Sequence, residues 1–334
     1  MTARKAFGRD KRCSLGSHQD APGRQGKDWP RAMISGGATL GGILLSFLIA
    51  FSGCTGIEQD FSFAVVSDPH IGANPENEHR LRACVDWIQA NEAVESIEIV
   101  FVVGDIGFGL ESLYRAKEIL DLLSPPYIPL IGDNEVQSGA EEAFEEVFAP
   151  HFSLLAERMD RWRKAPTPVW NPQRSKFSFL QNYSFDHKGL HFICLDWCTR
   201  ILAPLLGEQA DLHDFPEGTW PWFVEHVTAT AVGPKESLVL FSHHPMHAEA
   251  LAAFTTSEYR TLSEFASGFQ DFLYADFAGH YHIYWHETLW PAGYELFVTE
   301  AVSFLFPNLS LVEVQREGDR FSYNHRWITL LPAS

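Results

Sequence analysis

The sequence alternates short apolar runs with longer amphipathic stretches. In the first half, strands are predicted at 61–66, 97–103 and 127–131, and helices at 80–91, 113–123 and 141–148. Strands that alternate with helices are joined by crossover connections, which place the strands parallel in a buried sheet. The first half of the chain therefore predicts an α/β fold with a largely parallel sheet.

The second half of the chain predicts another sheet. A hairpin is predicted at 177–185 and 190–195. A helix at 220–231, a strand at 237–241 and a second helix at 257–272 follow it. The hairpin turn lies at Lys188-Gly189, a pair that suits a tight connection, and short strands follow from 273 to 328. Because no linker interrupts 58–334, this range predicts one domain with a sheet from each half.

Residues 151–176 show little periodicity and predict an inserted arm. Within 157–176, six Arg and Lys residues stand against two acidic ones, with Trp162 and Trp170 between them. Such a basic stretch is consistent with a solvated insertion, or with a contact to a substrate phosphate or to anionic lipid headgroups.

The N-terminal region differs from the rest in charge and hydropathy. Residues 1–32 carry a net charge of +5, and 33–57 are uncharged and largely apolar. A basic stretch before an apolar run is typical of an export signal or a membrane anchor. Since the positive flank stays in the cytoplasm, 58–334 is expected in the periplasm or at the cell exterior.

The apolar run ends in Phe-Ser-Gly-Cys at 51–54. This ending resembles the lipobox of bacterial lipoproteins, in which the cysteine is lipidated, although Phe51 stands where the motif has Leu. A lipoprotein anchored through Cys54 is one interpretation, and an uncleaved transmembrane helix is the other; both predict a membrane partner. Three later cysteines are too few for a disulfide framework and predict buried or free thiols.

The body of the protein is strongly acidic. The formal net charge of the chain is −18, and residues 33–334 alone carry −23. A surface of this charge repels the phosphate backbone of DNA or RNA. Nucleic acid is therefore not an expected partner.

Residue types that bind metals follow five of the predicted strands. In chain order, the clusters are Asp68-Pro69-His70, Gly104-Asp105, Gly132-Asp133-Asn134-Glu135, Ser242-His243-His244-Pro245 and Gly279-His280-Tyr281-His282. An isolated Asp after a strand often caps a helix, but five clusters at strand ends indicate a shared site, because those ends meet at one edge. Such a mixture of carboxylates and imidazoles suits Mn, Fe or Zn and is nitrogen-rich for Mg²⁺ or Ca²⁺.

The order of these clusters resembles the signature of the calcineurin-like metallophosphoesterase superfamily, over about 62–285. The resemblance implies a four-layer αββα sandwich with two mixed β-sheets and a site for two divalent metal ions. Carried over position by position, the resemblance implies that the first ion is bound by Asp68, His70 and His282. It implies that the second ion is bound by Asp133, His243 and His280, and that Asp105 bridges the two ions.

Asp133 and Asn134 depart from the family pattern, which has Asn followed by His. Asp133 aligns with the ligand because it directly follows Gly132, whereas the alternative register makes Asn134 the ligand. The resemblance implies that the family His stabilises the transition state and protonates the leaving group. Asn134 can donate a hydrogen bond but no proton, and losing a general acid costs ~10²–10⁴-fold in rate. His244 is a candidate substitute, with packing or support of a ligand as the other interpretation.

These motifs together predict a phosphoesterase that hydrolyses a phosphomonoester or phosphodiester outside the cytoplasm by attack of a metal-bridged hydroxide. The expected substrate is a small-molecule or lipid phosphoester, and no organic cofactor is expected. The alternative is a metal-binding scaffold or binding protein on the same fold with weakened chemistry, an interpretation that Asn134 supports.

Overall fold

The structure, a computed structural model, describes residues 61–201, 208–230, 233–248 and 252–330. The predicted leader, its apolar run and Cys54 lie outside these residues. Within the described ranges, no helix combines the length and the apolar character needed to cross a bilayer.

Strands and helices alternate in the first part of the chain, and strands dominate the last part. The strands are β1 (Phe61–Ser67), β2 (Ile97–Val103), β3 (Tyr127–Leu130), β4 (Asp160–Lys164), β5 (Val169–Asn171), β6 (Lys176–Ser178), β7 (Tyr183–His187), β8 (Leu190–Leu195), β9 (Leu238–Ser242), β10 (Leu273–Ala278), β11 (Trp285–Leu289), β12 (Tyr294–Val298), β13 (Asn308–Glu317) and β14 (Arg320–Thr329). The helices are α1 (Glu76–Glu95), α2 (Leu110–Leu120), α3 (Asp133–Gln137), α4 (Glu141–Arg158), α5 (Thr219–Thr230) and α6 (Thr256–Ser267).

The strands form two mixed sheets and a small hairpin. The first sheet has the order β14-β13-β1-β2-β3, and the second has the order β11-β12-β10-β9-β8-β7-β4. The neighbours β1, β2 and β3 are parallel, as are β8, β9, β10 and β12. Their carboxyl ends therefore share one edge of each sheet, the carboxyl edge.

Aromatic side chains hold the two sheets face to face. Phe63 of β1 makes edge-to-face contacts with Phe192, Phe241 and Phe277 of the second sheet, at centroid distances of 5.4 to 5.9 Å. Phe101 of β2 stacks on Phe241 at 3.6 Å. Aromatic pairs of this kind contribute about 0.5–1.5 kcal/mol beyond their buried area, so the rings fix the spacing of the sheets.

Helices cover the outer face of each sheet. The core of the first sheet includes Leu81 of α1, Leu113 of α2 and Phe148 of α4. Phe223 of α5 and Leu262 of α6 belong to a second core, which lies on the other side of the second sheet. This arrangement confirms the four-layer αββα sandwich that the sequence predicted.

Helix α4 continues well beyond the predicted 141–148 and runs to Arg158 through Pro150. Proline lacks a backbone donor and normally favours a helix end. Here Phe152 and Leu155 lie in the core, and their packing outweighs the local cost of the proline. Helix α6, in contrast, ends at Ser267, short of the predicted 272.

The prediction of irregular structure across 151–176 is wrong for 151–158, which belongs to α4, for 160–164, which forms β4, and for 169–171, which forms β5. β4 is an edge strand with outward polar residues, so its sequence lacks an apolar period. Its one inward anchor is Trp162, which stacks on Tyr183 at 5.3 Å. The basic side chain of Arg161 pairs with Asp186 of the adjacent strand β7.

The three described cysteines are Cys84, Cys194 and Cys198, and all of them are buried and unpaired. Burial raises the pKa of the Cys84 thiol to about 12. A thiol of high pKa is a poor nucleophile and a poor metal ligand at neutral pH. The predicted buried, free thiols are therefore confirmed for these three cysteines.

Candidate metal centre

The seven predicted metal ligands meet at the carboxyl edge. Asp68, Asp105 and Asp133 follow β1, β2 and β3, and His243 and His280 follow β9 and β10. Because these strands belong to both sheets, the site lies where the two sheets adjoin. The side chains form two groups of possible donors, whose atoms lie within 4.8 Å of one another in each: Asp68, His70, Asp105 and His282; and Asp133, His243 and His280.

In the first group, two imidazoles and a carboxylate point at one place. The Nε2 atoms of His70 and His282 are 2.9 Å apart. The Oδ1 atom of Asp68 lies 3.2 Å from the His282 Nε2 and 3.8 Å from the His70 Nε2. Ligands of one small cation have such separations, because each stands about 2 Å from the ion.

In the second group, Asp133 Oδ1 lies 2.9 Å from the Nε2 of His243 and 3.2 Å from the Nδ1 of His280. The Nδ1–H of His243 donates to the Val103 carbonyl oxygen at 3.1 Å. A hydrogen bond on one ring nitrogen fixes the tautomer and leaves the other free to bind a cation. The position of Asp133 in this group favours the alignment in which Asp133 is the metal ligand over the alignment in which Asn134 is.

Asp105 lies between the two groups. Its Oδ2 is 3.7 Å from the His70 Nε2, and its Oδ1 is 3.4 Å from the His243 Nε2. One carboxylate thus faces both groups with different oxygens, which is the arrangement that a bridging ligand requires.

The backbone at the site is unusual. Five of the seven candidate ligands have a positive φ, between 50° and 69°, namely Asp68, His70, Asp105, His280 and His282. Residues other than glycine adopt this region rarely, and such conformations concentrate at functional sites, where surrounding structure enforces them. These unfavourable backbone conformations therefore cost local stability, and they orient the five side chains towards the site.

Two glycines allow the ligands to approach one another. A Cβ on Gly132 would lie 2.1 Å from the Oδ1 of Asp105, and a Cβ on Gly279 would lie 2.7 Å from the Oδ2 of Asp68. Any side chain at either position would displace a carboxylate. This close approach explains why a glycine directly precedes Asp133 and His280.

Burial and charge act in opposite directions on the carboxylates. Burial opposes the ionisation of Asp68, yet the hydrogen bond from His282 and the nearby imidazoles lower its pKa to about 2. Burial raises the pKa of Asp105 well above its usual range, because His243 offsets only part of the cost of desolvation. Burial and the adjacent acids thus make Asp105 the carboxylate with the greatest need for further positive charge.

The donor set fits divalent cations. The three carboxylates are buried, and their ion-pair partners within 4 Å in the described chain are histidine nitrogens. Burial opposes protonation of the imidazoles; the adjacent carboxylates nevertheless raise the pKa of His243 and His282, whereas burial lowers that of His70 to about 4. The imidazoles therefore offset only part of the buried negative charge, and a cation would offset the rest. A mixed oxygen and nitrogen set of this kind suits Mn, Fe or Zn.

Asn134 lies beside the bridging carboxylate. Its side-chain Nδ2 donates to the Asp105 Oδ2 at 2.5 Å, and its backbone N–H donates to the Asp105 Oδ1 at 2.9 Å. The residue is partly exposed, so its amide lies at the mouth of the donor groups. The same Nδ2 lies 3.1 Å from the Nδ1 of His70, so the amide contacts a candidate ligand on either side of it.

His244 lies behind the ligands. Its ring is fully buried, stands 4.3 Å from the His280 ring, and points its Nε2 at the Glu208 carbonyl oxygen, 3.0 Å away. Burial lowers its pKa well below the usual value. A ring this deeply buried is poorly placed to protonate a leaving group, so the role of His244 as a substitute proton donor stays a prediction that the geometry does not favour. The geometry favours support of His280.

Glu135 is a structural member of the site that the sequence did not reveal. Its two oxygens accept hydrogen bonds from the backbone N–H groups of Gly107 and Gly132, both at 2.7 Å. It thereby ties together the two loops that carry Asp105 and Asp133. A glutamate three residues after the N-cap Gly132 of a short helix was the available signal.

Asp276 of β10 supports the loop of His243 through hydrogen bonds. It accepts from the Ser242 hydroxyl at 3.1 Å and from the Met246 N–H at 2.8 Å. The same hydroxyl lies 2.8 Å from the His244 carbonyl oxygen, and its single proton cannot serve both acceptors. A protonated Asp276 resolves the conflict by donating to Ser242. Burial accordingly raises the pKa of Asp276 to about 7.

Asp276→Asn is expected to make the protein more stable at alkaline pH. An acid whose pKa is higher in the folded than in the unfolded state lowers the free energy of unfolding as the pH rises from the unfolded-state pKa to the folded-state pKa. For Asp276 this loss is complete above pH 7. Between pH 5 and pH 8 the wild type should lose about 3 kcal/mol relative to the variant, at 1.36 kcal/mol per unit. Urea unfolding of chelator-treated protein at several pH values measures this difference in the free energy of unfolding. Asp319→Asn, a change at an exposed carboxylate, is the control. If Asp276→Asn and the wild type showed the same pH dependence, the prediction would be wrong.

No protein-family model matches the sequence, and no curated protein sequence matches it either. Solved structures with a similar fold include phosphopantetheinyl hydrolase (PptH) from Mycobacterium tuberculosis, at 13% identity and a TM-score of 0.39, covering 74% of this chain and 92% of that one. Another is the sulfate thiohydrolase SoxB from Thermus thermophilus, at 13% identity and a TM-score of 0.44. That match covers 81% of this chain and 56% of SoxB.

Proposed function

We propose that this chain is a metal-dependent phosphoesterase that hydrolyses a phosphomonoester or phosphodiester with two divalent ions, Mn, Fe or Zn. The observation that carries the proposal is Asp105, whose two oxygens face separate groups of buried donors. The first ion would be held by Asp68, His70 and His282, and the second by the other group. The motif order that resembles calcineurin-like phosphoesterases supports the same conclusion.

The residues of this chain divide the chemical work between them. Divalent ions at this site would lower the pKa of bound water and neutralise charge on the phosphoryl oxygens. Asp105 would keep the two ions at a fixed separation, and the Asn134 amide can donate a hydrogen bond to an ester oxygen. The side chain of His282 is 35% exposed, more than the other paired ligands, so the substrate approaches on its side.

The described side chains at the mouth of the site favour activated esters as substrates. Asn134 can orient an ester but has no proton to transfer at neutral pH. A leaving group of low pKa, such as a nitrophenolate, departs without a proton, whereas an alkoxide needs one. The expected order of reactivity is therefore aryl esters before alkyl esters.

Elemental analysis and an aryl phosphodiester assay test the proposal together. Wild-type protein reconstituted with Mn²⁺ or Zn²⁺ should hold about two ions per chain and hydrolyse bis(p-nitrophenyl) phosphate. His282→Ala should lose metal and activity, whereas His286→Ala, a matched change of a more exposed histidine that pairs with Glu295, should retain both. Two bound ions without turnover would overturn the enzyme and support the alternative, a metal-binding scaffold.

We also propose that the protein acts outside the cytoplasm, anchored at the membrane. The basic stretch 1–32 followed by the uncharged run 33–57 supports this placement. Cells fed radioactive palmitate should label the wild type but not Cys54→Ala. A fractionation in which the wild type stays in the cytoplasm would contradict export, and membrane-bound protein without label would favour the transmembrane helix.

A further inference from the structure

Exposed apolar side chains concentrate around the candidate metal centre. Fifteen large apolar side chains are exposed in the described residues, and ten of them lie in or beside loops at the carboxyl edge. These loops follow β2, β8, β10 and β12, and the fifth segment is the excursion 165–182. The pairing of Lys164 with Tyr183, and of Tyr183 with Cys194, places that excursion at the same edge. Since exposed apolar patches mark binding surfaces, this bias points to the side of the molecule that carries the site.

Two of these rings touch the candidate ligands. Phe108 stacks on His70, with ring centroids 5.7 Å apart and planes 26° from parallel. Phe304 meets the His282 ring edge-on at 5.9 Å. Both Phe side chains remain about two-fifths exposed. The apolar surface therefore begins at the ligands themselves, and a group esterified to a phosphate in the site would extend over it.

The loop that carries Phe304 also borders a groove. Its next residue, Leu305, is 73% exposed and lines a cavity of about 830 Å³, together with Trp87 of α1 and Leu330. Ser303 joins this loop to the site, because its N–H donates to the Asp68 carbonyl oxygen at 3.3 Å and its own carbonyl accepts from Arg80 at 2.8 Å. One short loop thus separates the candidate metal centre from a large groove, in which Trp87, Leu305 and Leu330 provide apolar surface beside the charged or polar side chains Glu76, His79, Arg80 and Asp86.

We propose that the substrate is an amphipathic phosphoester, with its phosphate at the donor groups and a long hydrocarbon substituent across Phe108, Phe304 and Leu305 towards the groove. This inference rests on the proposed function and names its substrate class. The three side chains present hydrocarbon alone, which suits an alkyl chain, whereas a nucleobase edge needs hydrogen-bonding partners. Hydrolysis consumes one water. Its oxygen bonds to phosphorus and the P–O bond to the leaving alcohol breaks; one of its protons ends on that alcohol and the other stays with the phosphate product or is released to solvent.

A series of p-nitrophenyl phosphodiesters whose second substituent is methyl, butyl or octyl tests the proposal, because the leaving group stays constant. The metal-loaded full-length protein is assayed below the critical micelle concentration of each ester. Each fully buried methylene contributes about fourfold, so kcat/KM should rise about tenfold or more from methyl to octyl even if only two methylenes are buried. Octyl phosphate should likewise inhibit at lower concentration than AMP.

Variants locate the effect on the surface. Phe304→Ala and Leu305→Ala should each reduce the octyl-to-methyl ratio of kcat/KM at least threefold, with the content of bound metal unchanged. Trp290→Ala is the matched control, because Trp290 is 75% exposed but lies in the turn before β12, at the opposite edge. Its ratio should equal that of the wild type.

The outcomes separate this inference from the proposed function. Turnover of all three esters at equal kcat/KM, or stronger inhibition by AMP than by octyl phosphate, overturns the amphipathic substrate and leaves the phosphoesterase standing. If both Phe304→Ala and Leu305→Ala keep the octyl-to-methyl ratio of the wild type, the proposed position of the hydrocarbon substituent is overturned. Bound metal without turnover of any ester overturns the function itself.

Discussion

Replacing Asp105 by asparagine is expected to lower kcat/KM for bis(p-nitrophenyl) phosphate by about 10³-fold. The ions of a two-metal site contribute several kcal/mol of transition-state stabilisation, and each 1.36 kcal/mol corresponds to a tenfold change in rate. Asp105 is the one candidate ligand whose two oxygens face different groups, at 3.7 and 3.4 Å from their imidazoles. An amide offers a single oxygen, so both ions should bind more weakly.

Calorimetry adds a second readout for Asp105→Asn. Bound metal stabilises the folded state by an amount that depends on the ratio of its concentration to the Kd, about 2.7 kcal/mol at a hundredfold excess. The increase in Tm on adding Mn²⁺ should therefore shrink in the variant. In chelator, removing the buried charge of Asp105 favours the variant, because burial raises the pKa of that carboxyl. The loss of one of the two hydrogen bonds that its oxygens accept from Asn134 opposes this gain, so the smaller increase in Tm on adding Mn²⁺ is the readout that identifies a ligand.

Asp276→Asn is the matched control for this experiment. It makes the same substitution at another buried carboxylate, one that bonds to Ser242 and Met246 and to none of the candidate ligands. It should keep both ions and the full increase in Tm. If Asp105→Asn also bound two ions with the affinity of the wild type, Asp105 would not be a bridge.

The candidate ligands could be found from the sequence because their placement depends on topology and not on loop detail. A residue within about three positions of the end of a buried parallel strand lies at the carboxyl edge, as Asp68, Asp105 and Asp133 show. His243 and His280 obey the same rule in the other sheet. The prediction needed only strand ends, and the apolar runs marked those within a few residues.

Other features depend on long-range packing, which periodicity does not encode. The continuation of α4 past Pro150 follows from the core contacts of Phe152 and Leu155. Strand β4 is recognisable only through the packing of Trp162 on Tyr183. The burial of His244 likewise depends on the Glu208 loop that covers it. In each case a distant segment decides the outcome.

Asn134→His is expected to speed the hydrolysis of alkyl phosphodiesters by about 10²–10⁴-fold, the usual contribution of a general acid. The backbone N–H of residue 134 would still donate to Asp105, so the loop should keep its form. A protonated imidazole at this partly exposed position can transfer a proton to a departing alkoxide. For p-nitrophenyl esters, whose leaving group needs no proton, the gain should be less than about tenfold.

Two comparisons make the test of Asn134→His specific. Asn134→Gln retains an amide of similar chemistry and should gain nothing on either ester. The histidine variant should also lose its advantage as pH rises through the pKa of the new imidazole, near 6.5 for an unperturbed ring, because the proton it donates is then absent. An equal gain on both classes of ester, or a gain that persists at pH 9, would show that the ring acts through charge or packing and not as an acid. No gain on alkyl esters would mean that the missing histidine does not limit this site.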